Sequence, residues 1–310
     1  MRVKLGDVCE RGTSNLKLSD VSEKNGEFSV FGASGYIGSV DFYQQGYPYV
    51  AVVKDGAGIG RAMLCPGKTS VIGTMQYLLP KDNILPKYLF YVVKYMNLEK
   101  YFTGATIPHI YFKDYKNEEF NFDFWERQVE IVSVLSKCEK VIDLCKQELQ
   151  LLDKLIKARF VELFGDPVSN SYGLPEATLP DLGEFGRGVS KHRPRNDIKL
   201  LGGKYPLIQT GDVANAGLYI TSYSSTYSEL GLKQSKMWDK GTLCITIAAN
   251  IAKTAILEFD ACFPDSVVGF IANERTNNIF VHYWFSFFQA ILESQAPESA
   301  QKNINLKILS

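Results

Sequence analysis

The sequence lacks most marks of a membrane, secreted or metal-holding protein. No apolar stretch approaches the roughly 18–20 residues needed to cross a bilayer, and Met1-Arg2-Val3-Lys4 opens without the apolar run of a signal peptide. A cytoplasmic location, away from membrane, is therefore expected. The six cysteines (Cys9, Cys65, Cys138, Cys145, Cys244, Cys262) form no Cys-x-x-Cys pair, and the three histidines (His109, His192, His282) are dispersed. Reduced thiols and no metal site are expected. Charge of either sign is not in excess, with 34 Lys+Arg against 34 Asp+Glu, so any polyanion must be bound through local patches.

Catalytic sets are also missing. An amino-group methyltransferase would show Asn-Pro-Pro before an aromatic residue, and no two prolines here are adjacent. Pro264-Asp265 resembles the opening of a metal-dependent nuclease motif, but no acid-x-Lys follows. Ala62-x4-Gly67-Lys68-Thr69 fits a relaxed P-loop, and Gly56-Ala57-Gly58-Ile59-Gly60 looks like a phosphate-cradling turn. A P-loop needs consecutive free N–H groups curling into a helix start. Pro66 has no N–H, and Ser70-Val71-Ile72-Gly73 is a poor helix start. The chain is expected to make and break no covalent bond itself.

What is present begins with the middle. From about Trp125 to Leu163 there is no proline or glycine, and Leu135, Ile142, Leu149, Ile156 and Leu163 recur every seven residues. Cys138, Cys145 and Leu152 fall three after the first three of these, which makes an a/d seam broken at Arg159. Glu139, Lys140, Lys146, Glu148, Asp153 and Lys154 occupy the flanks as a solvated face. Two readings fit: a long core helix of one globule, or one strand of a coiled coil. Its length and narrow stripe favour the coiled coil, although no second such stretch occurs. Gly165 followed by Asp166-Pro167 should end the helix.

Either side of this helix the sequence repeats itself. Asp7-Val8-Cys9-Glu10-Arg11-Gly12 is echoed by Leu182-Gly183-Glu184-Phe185-Gly186-Arg187-Gly188, and Ile59 to Leu64 by Ile251 to Ile256. Ser70-Val71-Ile72-Gly73 is echoed by Ser266-Val267-Val268-Gly269, the helix expected from Pro86 by the run Phe280 to Leu292, and Ala105 to Ile110 by Ala300 to Ile304. The expected plan is α+β. It places a first domain at 1–122, a helical spacer at 123–166 and a second copy of the first domain at 167–310.

Donor-rich segments suit DNA. Arg187 to Asn196 carries Ser190, Lys191, His192, Arg193 and Arg195 in a loop without apolar periodicity, able to reach phosphates and base edges. Arg61 and Lys253 stand at matched positions beside small-residue turns, and His109 and Lys302-Asn303 also occupy matched places. A solvated loop face is the plain alternative for the cluster, and ordinary surface charge for Arg61 and Lys253. Ser34 and Lys54 flank glycine turns and join the candidate contacts, with Gln209 and Asn250.

These features together resemble the specificity subunit of type I restriction–modification systems. The resemblance is carried by Leu5-x-Asp7-Val8 and Leu182-Gly183-Glu184 at the domain starts, and by Ile110-Tyr-Phe-Lys113-Asp114-Tyr115 leading to Phe124-Trp125-Glu126-Arg127-Gln128. Pro206 to Asp212 and Gly241 to Lys253 are similar to its second recognition domain. The resemblance implies two mixed α/β target recognition domains joined by a long coiled-coil helix, each reading one half of a split site in double-stranded DNA. It implies modification subunits that bind S-adenosylmethionine and methylate adenine, a translocating restriction subunit using ATP and Mg, and no cofactor in this chain. It also implies a second helix after the second domain. Ile304 to Ser310 corresponds to Ile110 through Lys116, so a truncated subunit is expected, pairing its helix with another copy or a separate half-subunit. A protein-binding scaffold with a dimerising coiled coil is the alternative.

Overall fold

The computed structural model describes residues 1–22, 26–104, 108–192, 194–248 and 250–295. Two compact units emerge, Met1–Gln147 and Glu148–Ser310.

The first unit runs β1 (Arg2–Lys4), α1 (Leu5–Val8), β2 (Cys9–Thr13), α2 (Leu18–Ser22), β3 (Phe28–Gly32), β4 (Gly35–Val40), β5 (Tyr49–Val53), β6 (Ala62–Cys65), β7 (Ser70–Val71), β8 (Met75–Pro80), α3 (Pro86–Met96), α4 (Phe112–Tyr115), β9 (Glu119–Asn121) and the start of α5 (Trp125–Phe164). Its main sheet has the order β2-β8-β5-β6 with antiparallel neighbours. The run Tyr49-Val-Ala-Val-Val53 forms its central strand because β-branched and aromatic side chains suit a pleated surface buried on both faces, and all five residues are buried. A smaller sheet, β4-β3-β7, pairs β3 parallel to β7, and β1 pairs with β9 through Val3 and Phe120. Pro86 stands at the first position of α3, where a missing N–H costs nothing, and Leu89 and Val93 pack on Val50, Val52 and Leu78. Left-handed Asn97 ends the helix.

The second unit contains the last turns of α5, then α6 (Leu179–Leu182), β10 (Gly183–Arg187), β11 (Leu201–Leu207), α7 (Thr210–Asn215), β12 (Tyr219–Ile220), β13 (Ser225–Tyr227), α8 (Glu229–Lys233), β14 (Met237–Trp238), β15 (Leu243–Thr246), β16 (Thr254–Leu257), β17 (Ala261–Cys262), β18 (Val267–Ala272) and α9 (Asn278–Gln295). Its main sheet is β10-β18-β15-β16-β12, and a second sheet is β13-β11-β17-β14. The order β10-β18-β15-β16 repeats β2-β8-β5-β6 strand for strand. The parallel pair β11–β17 repeats β3–β7, and α9 follows β18 as α3 follows β8. Both copies open alike: the Asp7 carboxylate accepts the Lys4 N–H at 3.1 Å, and Asp181 accepts that of Thr178 at 2.9 Å, each closing the N-terminus of the short helix before the first sheet strand. The expected α+β fold with two similar mixed domains and a long helix is the one observed.

One expected echo is shifted. Ser70-Val71 lies in β7, whose counterpart by pairing is β17 at Ala261–Cys262, whereas Ser266 to Gly269 leads into β18, the counterpart of β8. A Ser-Val pair fits any buried strand, so the short motif aligned two strands with different neighbours. The echo of Ala105 to Ile110 in Ala300 to Ile304 lies largely outside the described residues.

The forty residues of α5 carry no helix breaker. The helix stops where Gly165 takes φ +78° and donates its N–H to the Val161 carbonyl at 2.8 Å. Its first turns belong to the core of the first unit, where Gln128 is fully buried and Ile131 and Val132 pack, partly buried, against the cluster that contains Leu89 and Val93. Near its end Phe160 packs in tilted contact with Phe280 and Phe287 of α9, with centroids 5.3 and 5.2 Å away. From Lys140 through Arg159 every residue is exposed. The seam Leu135, Cys138, Ile142, Cys145, Leu149, Leu152, Ile156 and Leu163 is therefore solvent-facing among the described residues, with Leu149 at 63%.

Candidate nucleic-acid interface

The two copies build the same turn between the third and fourth strands of the sheet order. In the first unit the Gly60 N–H donates to the Val53 carbonyl and the Val53 N–H to the Arg61 carbonyl, both at 2.9 Å. In the second, the Ala252 N–H donates to the Thr246 carbonyl at 2.8 Å and the Thr246 N–H to the Lys253 carbonyl at 2.9 Å. The residue before each cation is left-handed, Gly60 at φ +78° and Ala252 at φ +58°. Arg61 and Lys253 are thus brought to one backbone position in both units, as the sequence repeat requires.

Their side chains differ in freedom. The Arg61 guanidinium wraps its own loop, with Nε donating to the Gly58 carbonyl at 3.2 Å and Nη2 to that of Ala57 at 3.3 Å. This fixes the loop and leaves the rest of the fork exposed. Lys253 is half-buried at its turn, where Asn250 is exposed and gives its carbonyl to the Thr246 hydroxyl.

A second segment of the first unit joins the same loop. The Gly56 N–H donates to the Pro108 carbonyl and the Ile110 N–H to the Lys54 carbonyl, each at 2.9 Å. His109 is thereby set beside Asp55, with Nδ1 to Oδ1 at 2.7 Å, and Lys54 Nζ lies 3.2 Å from the other carboxylate oxygen. Lys54, Arg61 and His109 belong to one loop cluster. Ser34 is exposed at the separate β3–β4 turn. Asp55 was not legible as a member, because a residue fifty-four positions from His109 gives no local signal.

The donor-rich loop of the second unit is more constrained than its composition suggests. Ser190 is buried, at 6% exposure, and so belongs under the loop and not on its face. The Gln234 side-chain carbonyl accepts the N–H groups of Lys191 at 2.7 Å and His192 at 3.0 Å, fixing the loop from β14's approach. His192 Nε2 lies 3.1 Å from Asp197, and Arg195 is ion-paired with Asp265. Backbone donation from Lys199, joined by His192, holds the Asp197 carboxyl below its ordinary range. Two of the expected donors, His192 and Arg195, therefore already have acidic partners, and Lys191 remains exposed. Gln209 is exposed at the start of α7. Arg193, Lys302 and Asn303 lie outside the described residues.

Four of the six thiols are buried, which favours their protonated form. Burial raises Cys9 to about 12 and Cys65 to about 11, and raises Cys244 and Cys262 as well.

The match to known proteins agrees with this architecture. The family described as "Type I restriction modification DNA specificity domain" matches residues 1–154 and again 176–310. Among curated relatives, a putative type I restriction enzyme MjaX specificity subunit of Methanocaldococcus jannaschii is 22% identical over 268 residues, covering 81% of this chain and 63% of that protein. The type I restriction enzyme MjaIX specificity subunit of the same organism is 26% identical over 179 residues, covering 52% of this chain and 40% of that protein. The chain thus spans less than two thirds of either relative's length. Among solved structures, the S subunit of a type I restriction–modification system from M. genitalium superposes with a TM-score of 0.59 at 16% identity, covering 95% of this chain and 78% of that one, a likeness of fold. Matched in both of its repeated units, the chain belongs to the type I restriction modification DNA specificity domain family.

Proposed function

We propose that this chain is the DNA-reading component of a type I restriction–modification assembly, non-catalytic by itself, with each unit reading one half of a bipartite site in double-stranded DNA. The observation that carries this is the repeated turn presenting Arg61 in one unit and Lys253 in the other from the same backbone geometry. Two copies of one cation-bearing turn suit a split target, because phosphate contacts position each module while nearby side chains read bases. Adenine methylation is then supplied by modification subunits carrying S-adenosylmethionine, and cleavage by a restriction subunit using ATP and Mg.

The exposed stretch of α5 is the assembly surface in this reading. Val141, Ile142, Leu144, Leu149, Leu151, Leu152, Leu155 and Ile156 are all exposed, and a contiguous apolar surface of this kind marks an interaction site. A helix from another copy or from a separate half-subunit covers the seam.

The test is the genomic methylation pattern of cells expressing the full chain with its modification subunits. A split asymmetric motif is expected, of which only one half changes when residues 178–310 are exchanged for another such domain. A continuous motif, or a change in both halves, would overturn the proposal.

A further inference from the structure

The geometry points to Lys54 and His109 as the pair that reads an adenine in the major groove, with Asp55 as the positioning residue that sets the hydrogen-bonding sense of the histidine. This deepens the DNA-reading role proposed above and rests on it.

The argument starts from the carboxylate. Asp55 offers only acceptors, so the 2.7 Å contact of Oδ1 with His109 Nδ1 requires that Nδ1 carry the proton. In the neutral ring Nε2 is then an acceptor, and it has no hydrogen-bond partner among the described residues. The backbone that carries the ring is anchored on both its polar groups, and one aromatic neighbour lies against the ring. The His109 N–H and carbonyl are both paired with Thr103, at 2.8 and 2.9 Å, and Tyr111 lies against the imidazole with centroids 6.3 Å apart and planes at 22°. Lys54, held 3.2 Å from Asp55 Oδ2, retains two further ammonium donors. A donor and an acceptor are thus fixed on either side of one carboxylate. All three side chains are partly open to solvent, at 29% for Lys54, 27% for Asp55 and 35% for His109.

Base edges in the major groove select among partners for such a pair. Adenine shows an acceptor, N7, beside a donor, the N6 amino group, whereas guanine shows two acceptors, cytosine a lone donor and thymine an acceptor and a methyl. Lys54 donating to N7 while N6–H donates to His109 Nε2 satisfies adenine alone. Guanine would set its O6 lone pairs against those of Nε2. The approach is open, since Ala57 and Gly58 are exposed and a Cβ built on Gly56 meets no atom within 4 Å.

The test uses the full chain co-purified with its modification subunits and a library of randomised duplexes. A split site should be selected, with adenine fixed at one position of the half assigned to residues 1–122. At that position 7-deaza-adenine, which lacks the N7 acceptor, and purine, which lacks the N6 amino group, should each weaken wild-type binding about tenfold. His109→Ala should lose sensitivity to purine only, Lys54→Ala to 7-deaza-adenine only, and His109→Gln, which still offers an acceptor, should keep the adenine preference. Asp55→Ala should admit guanine, because the released ring can present Nε2–H. Selection of no split site would overturn the DNA-reading proposal as a whole. A split site whose preferences in that half are unchanged by His109→Ala, or which carries guanine at the affected position, would overturn the assignment of this pair alone.

Discussion

Gln128 Oε1 accepts the backbone N–H of Leu85 at 2.9 Å, and its Nε2 donates to the carbonyls of Asn83 and Asp123 at 3.0 and 2.9 Å. One fully buried amide thereby ties the first turns of α5 to the loop that starts α3. Gln128→Ala leaves one N–H and two carbonyls without this partner, and an unsatisfied buried group costs about 1–3 kcal/mol. A loss of roughly 2–4 kcal/mol is expected in chemical denaturation of the full chain. Hydrogen exchange should locate it in residues 125–139, with faster exchange there than in α9.

The shared turn makes opposite demands at its two left-handed residues. Gly60→Ala forces a side chain into φ +78° and sets its Cβ 2.5 Å from the Glu99 nitrogen, so the first unit should be destabilised by more than about 2 kcal/mol. Ala252→Gly removes the strain at φ +58° and should be neutral or stabilising by up to about 1 kcal/mol. Thermal unfolding of both variants checks the sign.

The two cations should differ in how they weaken DNA binding. A phosphate contact contributes about 0.9 to the slope of log affinity against log salt. Lys253→Ala should lower the slope by about that amount with little change in sequence preference. Arg61→Ala should cost more and relax preference in its half-site, since Arg61 also holds the Ala57 and Gly58 carbonyls. Salt titrations on cognate and scrambled duplexes distinguish the two.

Thiol labelling reads the helix surface directly. Cys9 and Cys65 are buried with the thiol raised to about 12 and about 11, and Cys244 and Cys262 are also buried, whereas Cys138 and Cys145 are exposed on α5. At pH 8 two thiols of the native chain should react rapidly and the other four only on unfolding. A helical partner should protect Cys138 and Cys145. Leu149→Glu should abolish that protection while leaving the stability of the unpartnered chain within about 0.5 kcal/mol.

His282 adds an acid limit to stability. Burial holds its imidazole below the ordinary 6.5, with the Thr254 hydroxyl 2.9 Å from Nδ1. The unfolded chain binds this proton more readily than the folded one, so the contribution of His282 is complete above pH 6.5 and is lost as pH falls from there through the lowered folded value. A His282→Gln variant should show a shallower fall in denaturation midpoint between pH 7 and 5 than the wild type.

Sequence alone determined the long helix, its end at Gly165, the two-copy plan and the match of Arg61 with Lys253. These follow from local rules: a missing helix breaker, a seven-residue apolar period, a left-handed glycine cap and small residues at a turn. Tertiary structure decided the rest. Pairing partners, and not the Ser-Val motif, showed that β7 corresponds to β17. Burial removed Ser190 from the loop face, Asp197 five residues on took up His192, and Asp265, seventy positions from Arg195, folds back onto the loop to pair with it. The Asp55–His109 and Gln128–Leu85 hydrogen bonds join residues fifty-four and forty-three positions apart. Composition and periodicity report what a segment can form, while a hydrogen bond across such a distance exists only once the sheet has fixed both ends.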